Sequence, residues 1–245
     1  MKPYNNAGTT KGEEVTEMFN TIAPAYDRLN HILSMQIDKL WRRRVVRLVR
    51  KACETIEQPR VLDVATGTAD LAILLSRAIP TASVTGVDPS QGMLTVGLQK
   101  VEREGLSERV TLGVESAEAL SFESESYDAV TAAFGVRNFT DLEQGLREMV
   151  RVTRRGGVVV ILEFSTPPNR VFRAIYNLYS RHILPRIGAL LSKDRKAYEY
   201  LPASVEEFLS PDEFKLLMSK VGLTDCRSRA QFFGIAQIYT GVRGS

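Results

Sequence analysis

The chain has 245 residues but only two cysteines, Cys53 and Cys226. They lie far apart in the sequence, form no C-x-x-C pair and have no histidine beside them. This scarcity argues against a metal centre and against a disulfide framework, and it is typical of proteins from a reducing compartment.

Long hydrophobic runs are also missing. No apolar stretch reaches the length that spans a bilayer, and the polar N-terminus has no signal-peptide core. The formal net charge of +3 is too small to favour nucleic acid, although a local basic face remains compatible with it. With 44% hydrophobic and 25% charged residues, the composition is that of an ordinary globular protein. We expect a cytoplasmic protein whose only contact with a membrane is peripheral, on the inner face.

From residue 60 onward, apolar runs alternate with helical patterns. The predicted strands are 60–65, 83–88, 110–115, 127–134, 157–164, 225–231 and 234–242, with helices at 69–78, 90–104, 141–152 and 211–221. Nearly continuous apolar strands that alternate with helices indicate an α/β fold with a parallel sheet covered on both faces. The last two strands are joined only by Phe232-Phe233, so we expect an antiparallel pair at the sheet edge.

Three helical patterns precede the first strand, at 13–22, 25–34 and 37–56, and Pro24 separates the first two. We predict one domain over 1–245, made of a helical N-terminal cap (1–56), a core (57–165), an amphipathic substrate-side insertion (166–209) and a closing helix with strands (210–245). Residues 1–12 are expected to form a loose arm, and the basic run 41–44 a solvated helix face. The stretch 171–191 is basic and apolar, which suits a helix packed on the cap as well as a pocket wall or a membrane-facing surface.

The first strand leads into the turn 65–70, which contains a single glycine, Gly67. Neither G-x-G-x-x-G nor a G-K-[ST] sequence is present there, so a dinucleotide and a Walker-type site are disfavoured. The carboxylates of Asp63 and Asp70 would repel phosphates but suit a cationic ligand that carries an amino group and a sulfonium. The second strand ends in Asp88, which can accept hydrogen bonds from a ribose diol. These residues favour S-adenosylmethionine over NAD, and the alternative is a tight strand–helix turn with no ligand.

Several segments carry a family resemblance. They are 18–20 (MFN), 23–27 (APAYD), 29–31 (LNH), 41–43 (WRR), 62–70 (LDVATGTAD), 132–139 (AAFGVRNF), 163–165 (EFS), 184–188 (LPRIG) and 198–202 (YEYLP). With them the chain resembles the ubiquinone/menaquinone biosynthesis C-methyltransferases, within the class I S-adenosylmethionine-dependent methyltransferases, over nearly its whole length. The F-G-x-R-N loop with the L-P-x-I-G and Y-x-Y-L segments is more specific than the glycine motif. The resemblance implies a Rossmann-like class I methyltransferase fold.

The resemblance also implies a cofactor site. Gly67, Thr68, Asp88, Ser116 and Ala117 fall on cofactor-contacting positions, with Asp88 on the ribose. We add Asp63, Asp70, Met93 and Ala133 to this predicted S-adenosylmethionine site. Ala69 and Thr66 stand where many relatives have glycine, and Ala133 stands where some have serine.

The implied reaction is C-methylation of a polyprenylated quinol ring without a metal, from demethylmenaquinol to menaquinol or on the ubiquinone-pathway benzoquinol. We predict that Arg137, Asn138 and Tyr26 are catalytic: Arg137 stabilises a phenolate or acts through water, and Asn138 orients the hydroxyl. A salt bridge from Arg137 to Asp141 or Asp70 is the structural alternative. The expected partners are the quinol, a transiently contacted membrane surface and a second copy of the chain, but no nucleic acid.

Two other functions remain open. One is a class I methyltransferase for another small apolar acceptor, and the other is a non-catalytic scaffold subunit with the same fold.

Overall fold

The computed structural model describes residues 2–33, 36–178 and 195–244. The helices are α1 (Lys11–Leu33), α2 (Ile37–Ala52), α3 (Asp70–Ala78), α4 (Gln91–Arg103), α5 (Leu142–Val152), α6 (Arg170–Leu178), α7 (Arg195–Glu206) and α8 (Pro211–Lys220). The strands are β1 (Arg60–Val64), β2 (Ser83–Val87), β3 (Val110–Gly113), β4 (Tyr127–Ala133), β5 (Thr153–Phe164), β6 (Leu223–Gln231) and β7 (Ala236–Arg243).

The strands form one sheet of seven, in the order β3-β2-β1-β4-β5-β7-β6. All neighbours are parallel except β7, which runs antiparallel to both β5 and β6. The predicted α/β class and the antiparallel pair at the edge are therefore confirmed. The strand order reverses between β1 and β4, and ligands of such sheets bind beyond the carboxyl ends of the strands at that point.

Helices cover both faces of the sheet, as the nearly continuous apolar strands predict. On one face α2 and α3 pack on alternate strand residues such as Val61 and Val160. On the other face α5 and α8 pack on Leu62 and Ile161. Each strand therefore contributes side chains to both layers, and the rigid sheet edge between them positions the loops of the site.

Helix α1 runs through Pro24 without a break, so the predicted division at this residue is wrong. Proline in a helix interior removes one backbone hydrogen bond, at a cost of roughly 3 kcal/mol. The helix continues because residues on both sides of Pro24 pack into the same cluster, with Met18 and Ile22 before it and Tyr26 after it, against Tyr200 of α7.

Helix α2 belongs to the layer on the sheet rather than to a cap, because it packs against α3 and β5. Trp41 is buried beside Phe164. Arg42 is also buried, where it pairs with Asp38 and lies 5.2 Å from the centre of the Phe134 ring. Trp41 and Arg42, two of the four residues predicted to form a solvated face, therefore face inward. Of the described helices in the predicted N-terminal cap, α1 is the one that lies over the sheet edge.

The N-terminal arm is anchored rather than loose. The carboxylate of Glu14 accepts hydrogen bonds from the backbone amides of Tyr4 (2.7 Å), Asn5 (2.9 Å) and Asn6 (2.8 Å). Glu14 is fully buried by this wrap. The arm thus closes over the first turn of α1.

In the insertion, α6 and α7 are described, whereas the L-P-x-I-G segment at 184–188 and most of the predicted basic stretch lie outside the described residues. Within the described ranges, no helix is long and apolar enough to cross a membrane. The same ranges contain no group of His, Cys, Asp and Glu residues that could hold a metal ion.

Candidate active site

A cavity of about 540 Å³ lies beyond the carboxyl ends of β1, β2 and β4, beneath α1. Eight of the predicted site residues line it: Tyr26, Gly67, Asp88, Met93, Ser116, Ala117, Ala133 and Asn138. Its volume is typical of pockets for small ligands, which measure roughly 300–1,000 Å³. These eight residues therefore lie together at the edge of the sheet.

The turn after β1 is wound tightly. Ala65, Gly67 and Ala69 all have positive φ, at 53°, 57° and 64°. This winding aims the backbone N–H of Gly67 at Asp88 Oδ2, 2.9 Å away, while Asp88 Oδ1 accepts from the N–H of Ser90 at 2.9 Å. Burial raises the pKa of Asp88 to about 6, although these two hydrogen bonds act against the shift. A carboxylate with a fixed orientation thus stands at the cavity wall.

Asp63 does not line the cavity but lies beneath the turn. Its two carboxylate oxygens accept from the hydroxyls of Thr66 and Thr131, each at 2.7 Å. Burial raises the pKa of Asp63 to about 6, against the effect of both hydroxyls. Asp63 therefore ties β1 and β4 together under the loop.

Thr68 and Asp70 hold the cap instead of facing the cavity. The hydroxyl of Thr68 donates to Asp27 of α1. Lys100 of α4 pairs with Asp27 at 2.7 Å and also with Asp70. The negative charge of Asp70, which the sequence suggested for a cationic ligand, is thus compensated by a lysine from another helix.

A second contact fixes α1 over the site. Asn20 Oδ1 accepts from the hydroxyl of Ser90 and from the backbone N–H of Gly92, both at 2.8 Å. A Cβ on Gly92 would lie 3.1 Å from the Cα of Asn20, so this close approach favours glycine. Because Ser90 also caps α4 and neighbours Asp88, the cap and the cofactor end of the cavity are joined directly.

The loop after β4 contains a 3-10 turn (Val136–Asn138). Arg137 Nη1 lies 2.7 Å from Glu163 Oε1 and also donates to the carbonyl of Phe134, while its Nε donates to Ser204 Oγ at 3.2 Å. Both members of the ion pair are buried. Arg137 is therefore not part of the described cavity wall, and its structural partner is Glu163 rather than the expected Asp141 or Asp70.

Asn138 follows Arg137 and does line the cavity. Its Oδ1 accepts a hydrogen bond from the hydroxyl of Tyr200 in α7 at 3.1 Å. Lys11 of α1 donates to the carbonyls of Arg137 (3.2 Å) and Phe139 (2.8 Å). The F-G-x-R-N loop is thus held from three sides, by β5, α7 and α1.

Four residues that build the site were not among those predicted from the sequence: Asn20, Lys100, Glu163 and Tyr200. Three of them lie in segments that carry the resemblance, Asn20 in M-F-N, Glu163 in E-F-S and Tyr200 in Y-E-Y-L-P. Their partners could not be read from those segments. Lys100 carries no signal beyond its place in an amphipathic helix.

The residues of the cavity fit S-adenosylmethionine. Asp88 presents a carboxylate for a ribose diol, and the space in front of Gly67 is open because no atom lies within 4 Å of a Cβ built there. Met93 and Ala117 add apolar surface, and Ser116 a hydroxyl, where an adenine ring would lie. No residue of the described cavity wall is a lysine or arginine, which agrees with a cationic ligand and disagrees with a pyrophosphate.

The profile of the ubiE/COQ5 methyltransferase family matches residues 7–243. The chain belongs to this family. It is 43% identical over 243 residues to a demethylmenaquinone methyltransferase of Bacteroides fragilis, covering 99% of this chain and 97% of the relative. It is 48% identical over 237 residues to the ubiquinone/menaquinone biosynthesis C-methyltransferase UbiE of Geobacter sulfurreducens, covering 96% and 91%.

Solved structures of low sequence identity share the fold. The [4+2]-cyclase SpnF has a TM-score of 0.68 at 16% identity, over 96% of this chain and 97% of its own. A putative S-adenosylmethionine-dependent methyltransferase of Methanococcus maripaludis has a TM-score of 0.64 at 14% identity, over 92% and 94%. The predicted family and the Rossmann-like methyltransferase fold are therefore confirmed, and the chain is a methyltransferase.

Proposed function

We propose that this methyltransferase transfers a methyl group from S-adenosylmethionine to a ring carbon of a polyprenylated quinol. Demethylmenaquinol is the principal acceptor in this proposal, and the benzoquinol of ubiquinone biosynthesis is a second one. Family membership and the names of relatives at 43% and 48% identity support it. The observation that carries it is one shared cavity. Asp88 and Asn138 line this cavity together with the aromatic side chains of Phe19, Phe134 and Phe139.

The cavity wall offers two kinds of group. In this proposal Asp88, Ser116 and Met93 would hold the cofactor. When bound, the cofactor would supply a methyl group on a sulfonium, and in-line attack by the acceptor carbon would form the new C–C bond as the S–CH3 bond breaks, so the relative placement of the two reactants controls the rate. Phe139, Tyr26 and Asn138 line the same cavity, and their two aromatic rings suit a flat quinol ring.

Asn138 provides the polar group that this reaction needs. A quinol carbon becomes nucleophilic when the neighbouring hydroxyl loses its proton, so the site must stabilise a phenolate. Burial raises the pKa of Tyr200, which keeps its hydroxyl a donor, and that donor occupies Asn138 Oδ1. The amide NH₂ of Asn138 is then the group presented to the cavity, and it donates to the quinol oxygen.

Arg137 acts through the loop rather than on the acceptor. Its guanidinium bonds Glu163, Ser204 and the carbonyl of Phe134, so it holds the turn that carries Asn138. Tyr26 contributes to the cavity wall and packs edge-on against Phe19, with ring centres 5.9 Å apart. We assign Arg137 as a positioning residue, and Asn138 and Tyr26 as groups that touch the acceptor.

The polyprenyl tail brings the enzyme to a membrane. An acceptor with such a tail is dissolved in the bilayer, so turnover requires transient contact with the lipid surface. In this proposal the enzyme acts at the cytoplasmic face of the membrane, in peripheral contact with it.

Transfer of labelled methyl groups from S-adenosylmethionine tests the proposal. Purified enzyme should methylate demethylnaphthoquinol, and more slowly benzoquinol, but not simple phenols. Replacement of Asn138 by Ala should lower kcat by roughly 100-fold, as removal of one oxyanion donor does elsewhere, without changing cofactor affinity.

Two results would overturn it. Preferred turnover of small soluble phenols would indicate a methyltransferase for another apolar acceptor. Cofactor binding with no turnover on any quinol would indicate a scaffold subunit, and the Asn138 variant would then have no activity to lose.

A further inference from the structure

Two phenylalanines are exposed at the short connection between β6 and β7. Phe232 and Phe233 are 47% and 57% exposed, although a bare aromatic side chain in water is unfavourable. The Phe233 ring stacks on Phe172 of α6, with ring centres 4.1 Å apart. Val171, beside Phe172, is 66% exposed. The connection and the first turn of α6 therefore form one apolar patch.

The backbone conformation of this connection adds to the free-energy cost of the two exposed aromatic residues. Phe232 and Phe233 have φ values of 38° and 57°, in the left-handed region that glycine and asparagine adopt readily and bulky side chains rarely do. The next residue, Gly234, has φ 90° and lies against Pro168, because a Cβ there would be 2.7 Å from the proline Cδ. Such strain persists where function requires the residues concerned.

The surroundings of the patch are basic. Arg44 of α2 donates to the side chain of Gln231, the residue before Phe232, and Arg229 lies on the same side of β6 as Gln231. Arg170 and Arg173 flank Phe172 on α6, and all four arginines are exposed. Residues 39–53, 165–178 and 226–244, which supply this region, contain no Asp or Glu.

The topology places the patch beside the site. Strand β6 pairs antiparallel with β7, which itself is antiparallel to β5, so the carboxyl end of β6 lies at the same sheet edge as the cavity. Helix α6 also starts beyond the carboxyl end of β5. A flexible apolar tail that leaves the cavity could reach this surface without crossing the sheet.

We propose that Phe172, Phe232 and Phe233 with Arg44, Arg170, Arg173 and Arg229 form a docking surface for an anionic lipid bilayer. Exposed aromatic rings enter the interface between headgroups and acyl chains, and the arginines pair with anionic headgroups. Charge complementarity selects the bilayer as the occupant, since a second copy would bring the same arginines against themselves. The relevance of this surface to turnover rests on the proposed lipid-tailed acceptor.

Sedimentation with lipid vesicles tests the surface without any substrate. Wild-type enzyme should bind vesicles of phosphatidylcholine with phosphatidylglycerol, and binding should weaken at raised ionic strength or with phosphatidylcholine alone. A Phe232→Asn/Phe233→Asn variant should bind at least tenfold more weakly. Asparagine tolerates the left-handed region, so the Tm of this variant should be equal to or above that of the wild type. A Leu216→Asn variant is the matched control, because Leu216 is 70% exposed on α8, on the opposite face of the sheet from α2.

The charges can be tested separately. Arg170→Glu/Arg229→Glu should abolish the preference for anionic vesicles, whereas Arg155→Glu should not, because Arg155 is exposed and pairs with Glu125 away from the patch. Unchanged vesicle binding by the Phe232/Phe233 variant would overturn the proposal. So would a wild-type dimer that this variant converts to a monomer without a change in vesicle binding.

Methyl transfer to a short-tailed acceptor separates this inference from the proposed function. The Phe232/Phe233 variant should retain wild-type turnover on a short-tailed demethylnaphthoquinol and lose turnover on a vesicle-embedded, long-tailed one. Vesicle binding by an enzyme that methylates no quinol would overturn the proposed function and leave the docking surface intact.

Discussion

The hydroxyl of Tyr200 in α7 donates a hydrogen bond to Asn138 Oδ1, across 3.1 Å, in the loop after β4. This contact joins two segments that are 62 residues apart in the chain. In the proposed reaction this contact leaves the Asn138 NH₂ group to donate to the acceptor.

Replacement of Tyr200 by Phe should lower kcat about fivefold and leave KM for the quinol nearly unchanged. The lost hydrogen bond corresponds to about 1 kcal/mol and frees the amide to rotate, so the phenolate is stabilised less. Since the bound quinol then has a higher pKa, the acidic limb of the pH profile of kcat should move to higher pH. Steady-state kinetics between pH 5 and 9 measure both effects.

The matched control is Tyr239→Phe. The Tyr239 hydroxyl is buried and has no hydrogen-bond partner among the residues that the structure describes. Its removal should leave kcat and the pH profile unchanged and raise the free energy of unfolding by about 1 kcal/mol. If both phenylalanine variants behave alike, the assigned role of Tyr200 is wrong.

Replacement of Arg137 by Gln should destabilise the protein by about 3–5 kcal/mol, because it leaves the buried carboxylate of Glu163 without its cationic partner. Urea unfolding measures this change. Arg155→Gln removes an exposed member of an ion pair and should cost less than about 1 kcal/mol. A small effect at Arg137, with full loss of turnover, would instead support direct action on the acceptor.

Replacement of Gly135 by Ala should push the loop after β4 away from the turn after β1, which it contacts at the cavity. A Cβ at this position would lie 2.4 Å from the Cβ of Ala65. We expect a destabilisation of about 1–3 kcal/mol and weaker cofactor binding, measured by thermal unfolding and calorimetry.

A second substitution tests whether this clash is the cause. Ala65→Gly removes the opposing methyl group and also relieves the positive φ of 53° at this residue. The double variant Ala65→Gly/Gly135→Ala should therefore regain most of the lost stability and binding. No recovery in the double variant would mean that another contact of Gly135 is responsible.

Cofactor affinity should fall as the pH is lowered through 6. Burial raises the pKa of Asp88 to about 6, so the carboxylate that we propose accepts from a ribose diol is lost below that pH. We expect binding of S-adenosylhomocysteine to weaken about tenfold from pH 7 to pH 5, since protonation of one group changes affinity by at most tenfold per pH unit. An Asp88→Asn variant should bind more weakly at pH 7 and show a flat profile; a steep profile in this variant would implicate another group.

The contribution of Asp63 to stability should fall as the pH rises, whereas cofactor affinity through Asp88 should rise. Burial raises the pKa of Asp63 in the folded protein to about 6, above the ordinary value of 3.8, so the folded protein binds the proton more tightly between these values. The contribution of Asp63 to stability is therefore complete below pH 4 and is lost as the pH rises through 6. The difference in unfolding free energy between wild type and an Asp63→Asn variant should change over this window and be constant above pH 7.

Much of the fold could be predicted from local sequence pattern. Alternating apolar runs and helices indicated the parallel sheet, and the parallel arrangement brought Asp88 and Asn138 to one edge, as predicted. The predicted extent of α1 was wrong, because the rule that proline ends a helix considers only the local sequence. The packing of Met18 and Tyr26 against α7, which outweighs it, is a tertiary contact.

The site shows which features could be predicted from the sequence and which could not. By itself, the sequence determined the family, the parallel sheet and the small turn with a carboxylate one strand away, since each depends on residue spacing along the chain. Only the tertiary structure decided which charged groups face the cavity and which neutralise one another. Asp70 is paired by Lys100, 30 residues away, and Arg137 by Glu163, 26 residues away. A charge removed from water is stable only beside its partner, and the partner is chosen by the way the helices and strands pack.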